Sequence, residues 1–71
     1  MRIYQITPIG RKVAASIYAA DTPAMKVLRY LRSMGSASRD QIQNYTGLDD
    51  STLGMALRKL RARDNPFITE V

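Results

Sequence analysis

Each apolar stripe in this chain follows its own helix-start signal, and that punctuation limits the fold to a set of short helices. Thr7-Pro8 and Thr22-Pro23 each set a capping hydroxyl before a proline, which suits the first helical position because no amide donor is needed there. Ser38 and Gln41 have the spacing of a capping box. Asp49, Asp50 and Ser51 supply cap candidates and favourable negative charge for a further helix. Apolar residues then recur at helical spacing. The stripes are Ile9, Val13, Ile17 and Ala20; Ala24, Val27, Leu28, Leu31 and Met34; Ile42 and Tyr45; and Leu53, Ala56, Leu57 and Leu60. The expected helices are therefore 8–20, 23–34, 39–46 and 50–63. Gly35 is a natural stop for the second, and Pro66 forbids continuation of the last.

The two ends of the chain read as strands. Arg2–Ile6 alternates Ile3 with Gln5 and carries Tyr4 and Ile6, and Phe67–Val71 is the other candidate. An isolated strand leaves backbone donors and acceptors unpaired, so the two are expected to pair antiparallel. The fold class is mainly α: about four helices and a small two-stranded sheet formed by the chain ends. With 71 residues and no repeat, linker or low-complexity segment, residues 1–71 are expected to form one domain. Tyr4 and Tyr45 are expected in its core.

Several function classes find no support. The chain has no cysteine and no histidine, which excludes disulfide staples and thiolate–imidazole metal sites. No Gly-rich phosphate loop, metal-ligand spacing or pocketed carboxylate pair is present. No catalytic residue, cofactor or metal is expected, and the chain reads as a non-enzyme. No apolar run reaches the roughly 20 residues that span a bilayer. Arg2 and Gln5 interrupt the apolar stretch a signal peptide would need. A soluble, cytoplasmic protein with no membrane partner is the expectation.

Eleven Lys and Arg against six Asp and Glu give a formal charge of +5, which favours a polyanionic partner. Placement of that charge carries the argument. Residues 38–63 have the makings of a helix-turn-helix, in which a tight turn sets two helices at a steep angle. Gly47 can take the positive dihedral of the turn, and Leu48 can plug the space between the helices. Leu53, Leu57 and Leu60 would hold the second helix to the core. Its other side would then present Ser51, Met55 and Arg58, flanked by Gly54 and Lys59, with Arg61 and Arg63 extending a basic edge. The bland alternative is a solvated helix end favoured by the helix dipole. Lys26, Arg29 and Arg32 could flank the same groove but read better as a plain solvated face, and the four tyrosines are too scattered for a single-strand stacking platform.

The pattern T-G-L-x-x-S-T-L-x-x-A-L-R-K-L, from Thr46 to Leu60, resembles the winged-helix transcriptional regulators of bacteria and archaea, such as the regulators of multiple antibiotic resistance. The resemblance runs from Thr22 onward. It implies that the helix starting near Ser51 is a recognition helix in the major groove of double-stranded DNA. It puts Ser51, Thr52, Met55, Arg58 and Lys59 near DNA, with Arg61 and Arg63 on the same basic edge. A cytoplasmic, nucleoid-associated protein is implied, and a homodimer, because one small module buries little DNA surface. The N-terminal Y-Q-I-T-P-I-G-R resembles the second wing strand and the helix start that follows it, which implies a permuted wing. Two positions depart from the pattern: Gly54 and Met55 stand where polar or basic residues are usual, and neither offers a strong hydrogen bond to a base edge. Asp49 and Asp50 at the same end would meet phosphate repulsion, and capping is their expected role. The alternative reading is a winged-helix adapter that turns this helix toward another protein.

Overall fold

The computed structural model describes residues 2–15, 22–62 and 64–71. In chain order the elements are β1 (Ile3–Ile6), α1 (Pro8–Ala14), α2 (Pro23–Met34), β2 (Ser36–Ser38), α3 (Arg39–Thr46), α4 (Asp50–Arg61) and β3 (Ile68–Glu70). The helix starts are those the caps dictate. The hydroxyls of Thr7, Thr22 and Ser38 accept from the amides of Gly10, Met25 and Gln41, and Gln41 completes its capping box by accepting from the Ser38 amide at 2.9 Å. Helices α2 and α3 have the expected limits. Helix α1 is capped at Ala15, and the rest of the expected first helix, residues 16–20, lies outside the described residues. Helix α4 stops at Arg61, short of the expected 63. Ala62 leaves helical geometry at ψ 59°, and the Phe67 amide returns to the Leu60 carbonyl at 3.0 Å.

The sheet has three antiparallel strands, not the expected two, in the order β2-β1-β3. The end strands pair as anticipated, with Tyr4 opposite Glu70, Gln5 opposite Thr69 and Ile6 opposite Ile68. The added strand β2 pairs Ser36, Ala37 and Ser38 with Gln5, Tyr4 and Ile3. Ser38 is at once the last strand residue and the cap of α3, so the sheet passes straight into that helix. The central strand β1 is bonded on both sides, and the Val71 amide reaches the Ile3 carbonyl at 2.8 Å.

The core lies between the helices and one face of this sheet. Val27, Leu28, Leu31, Ile42, Leu53 and Ile68 are fully buried, and Tyr4 is in the core as expected. Tyr45 is not: it is 71% exposed, because on the short α3 only Ile42 faces inward and Tyr45 stacks on Tyr30 of α2, ring centroids 4.4 Å apart. Ile9 and Met34 also lie outside the core that their stripes suggested, each at an outer turn of its helix.

Candidate nucleic-acid interface

The turn between α3 and α4 rests on one backbone conformation. Gly47 sits at φ 71°, ψ 11°, the left-handed region, and its amide closes α3 on the Gln43 carbonyl at 2.9 Å. Leu48 follows, half-buried against the core. Asp49 then caps α4 by accepting from the Thr52 amide at 3.0 Å. Hydrogen bonds from the Thr52 side chain and amide hold the Asp49 carboxyl below the ordinary carboxylate range. Asp49 is thus the helix cap that its position implied.

Helix α4 turns Leu53, Ala56, Leu57 and Leu60 into the core. At about 100° per residue the opposite side carries Ser51, Met55 and Arg58, with Lys59 alongside, and all four are exposed. Met55 is 62% exposed at the middle of this face. Among the described residues neither Arg58 nor Lys59 forms an ion pair. These four expected residues therefore share one surface. Thr52 lies to the side, half-buried and engaged with its cap, in a recess it shares with Met55, Lys59 and the start of α2 at Thr22–Ala24. Arg61 is turned toward the sheet, where it pairs with Glu70 and its guanidinium lies 5.9 Å from the centre of the Tyr4 ring. Arg63 lies outside the described residues.

Sequence reasoning missed Arg39. It begins α3, yet its guanidinium crosses to α4. There Nη1 donates to the Asp50 carboxylate at 2.6 Å and Nη2 to the Asp50 carbonyl at 3.2 Å. The Asp50 hydrogen bond raises the Arg39 pKa above the ordinary arginine value. Arg39, Asp50, Ser51, Gly54, Met55 and Arg58 line one shallow concavity. Gly54 lies in this concavity beside Arg39, and it has no evident use in base reading. Arg2 was missed as well: its Nε stands 3.4 Å from the second carboxylate oxygen of Glu70. Helical periodicity gives no signal for the Arg39–Asp50 contact, because it joins residues on two different helices.

A methyl group at position 54 would meet Arg39 Nη2 at 3.6 Å, an ordinary contact. Glycine inside a helix is less favourable than alanine by roughly 0.5–1 kcal/mol. Gly54→Ala should therefore stabilise the protein by about that amount, read as a higher urea midpoint at unchanged slope. A lower midpoint would show that Arg39 needs the space a methyl fills.

Lys26 and Arg29 border a groove between α2 and α3 with Tyr30, Ser33, Tyr45 and Thr46. Among the described residues no group of three or more acidic, histidine or cysteine side chains could hold a metal ion. No described helix is long and apolar enough to cross a membrane. The chain matches no family model, no curated protein and no solved structure.

Proposed function

We propose that this chain is a winged-helix-type helix-turn-helix module that binds double-stranded DNA, as a transcriptional regulator or nucleoid-associated protein. The observation that carries the reading is the exposed face of α4. Its two basic side chains, Arg58 and Lys59, have no ion-pair partner among the described residues, and the other positions on that face are Ser51 and Met55. A helix fixed by its leucines and presenting such a face can enter a major groove and reach phosphates on either side. The sheet supports the same reading. Strand β3 follows α4, and its antiparallel neighbour β1 comes from the other end of the chain, the arrangement of a permuted wing. A homodimer would double the DNA surface contacted, and a location on the nucleoid would follow from the activity.

On this account Arg58 and Lys59 act chiefly through phosphates, since Gly54 and Met55 beside them have little to offer a base edge. Replacing Arg58 by alanine should weaken binding to all duplex sequences alike and lower the salt slope by about one unit. Fluorescence anisotropy with two unrelated duplexes over a salt series checks this. If Arg58→Ala weakens one sequence and spares the other, Arg58 reads bases. Met55 favours a second reading, a protein–protein adapter, because a large apolar side chain so exposed at the centre of the face suits an apolar partner surface. The same titration separates the two, since an adapter shows no salt-dependent affinity for duplex.

A further inference from the structure

Three arginines around α4 are engaged in ion pairs: Arg39 of α3, Arg61 of α4 itself and Arg2 beside β1. Arg39 makes two bonds to Asp50 at the start of α4. Arg61, near the end of the helix, pairs with Glu70 of β3, and Arg2 approaches the same carboxylate through its other oxygen. The side chains of Arg39 and Arg61 are 31% and 39% exposed, so each is reachable from solvent. Arg58 stands in the concavity beside Arg39.

We infer that Asp50 and Glu70 set the strength of DNA binding by holding Arg39, Arg61 and Arg2 in intramolecular ion pairs that duplex phosphates must displace. The inference rests on the DNA-binding reading of α4 and adds a means of tuning to it. Surface ion pairs are weak, because solvent screens them and ordering two long side chains opposes them. A duplex presents a dense row of phosphates with a condensed counterion layer, and each phosphate neutralised releases counterions. The displacement is therefore feasible but subtracts from affinity, and a carboxylate left behind beside the duplex repels it. Asp50 and Glu70 keep the module a moderate binder, and loss of either carboxylate's charge releases guanidinium groups, Arg39 beside α4 and Arg61 and Arg2 at the sheet.

The test uses near-isosteric variants. Asp50→Asn and Glu70→Gln should each tighten binding to random duplex about two- to fivefold at low salt, the worth of an exposed ion pair. Each should steepen the salt slope by about 0.9 for each phosphate gained. Asp40→Asn is the control: it makes the same charge change next to Arg39, and among the described residues Asp40 forms no ion pair. Its slope should stay at the wild-type value. In an Arg39→Ala background, Asp50→Asn should gain no more than Asp40→Asn does, because the side chain it frees is gone. Circular dichroism confirms the fold of each variant. Equal gains from Asp40→Asn, Asp50→Asn and Glu70→Gln would overturn the inference and leave the DNA reading standing. If no folded variant binds duplex at all, the DNA reading falls and this inference with it.

Discussion

Gly10→Ala should destabilise the protein by about 1–3 kcal/mol, a large share of the roughly 5 kcal/mol such a domain has to lose. A Cβ at position 10 would stand 2.2 Å from the Phe67 carbonyl oxygen and 3.0 Å from both the Phe67 carbonyl carbon and Ile6 Cγ1. That carbonyl cannot easily retreat. Its oxygen accepts from the Thr7 amide at 3.0 Å, the Thr7 hydroxyl donates to the Pro66 carbonyl at 2.8 Å, and the Phe67 amide is held by Leu60. Relieving the clash means surrendering one or two of these hydrogen bonds, at about 1 kcal/mol each, and loosening the entry to β3. The gain in helix propensity, about 1 kcal/mol, offsets only part of the loss. Urea unfolding followed by circular dichroism measures the change. The comparison with Gly54→Ala sharpens it, because the same substitution in another helix should have the opposite sign. A Gly10→Ala protein as stable as the parent would show that the carbonyl does not approach α1 so closely.

Those two glycines also mark where the sequence is legible and where it is not. Local chemistry could be read directly: a hydroxyl before a proline starts α1 and α2, the Ser38–Gln41 box starts α3, and Gly47 ends it with a positive φ. The pairing of the chain ends was legible too, because strands left alone have unsatisfied backbone. Contacts between distant segments were not. Gly10 reads locally as a weak spot in a helix, and only the return of Phe67 gives it a purpose. Strand β2 is three residues of Ser-Ala-Ser, with little strand propensity, and β1 supplies the backbone partner that makes it a strand. Tyr45 fits an inward position by spacing, yet α3 has eight residues and room for one buried anchor, Ile42. At the candidate site, the helical period brought Ser51, Met55, Arg58 and Lys59 together. It could not show that Arg61 turns to Glu70, or that Arg39 crosses from the neighbouring helix.

The largest functional effect expected is from reversing the charge of the α4 face. Arg58→Glu with Lys59→Glu should lower affinity for random duplex by more than about 100-fold at low salt, since charge-assisted bonds contribute about 1.5–3 kcal/mol each. It should also reduce the salt slope by about two. Both side chains are exposed and lie on the side of α4 away from its leucines, so the fold should survive, which far-UV circular dichroism checks. Leu57→Ala tests the opposite kind of change. It removes a core side chain at a cost of about 2–5 kcal/mol and should abolish binding only by unfolding the module. If the doubly reversed variant is folded and binds as well as the parent, α4 is not the DNA-contacting element.

The most direct measurement is the affinity of the unaltered protein for random duplex as salt is raised fourfold from a low starting concentration. Contacts from Arg58 and Lys59 to about two phosphates per module predict a log–log slope of about −1.8. Over that interval the affinity should fall by about 12-fold. A folded protein with no measurable duplex binding at the lowest salt, or with an affinity that does not change across the series, would contradict the account and turn the face of Ser51, Met55, Arg58 and Lys59 over to a protein partner.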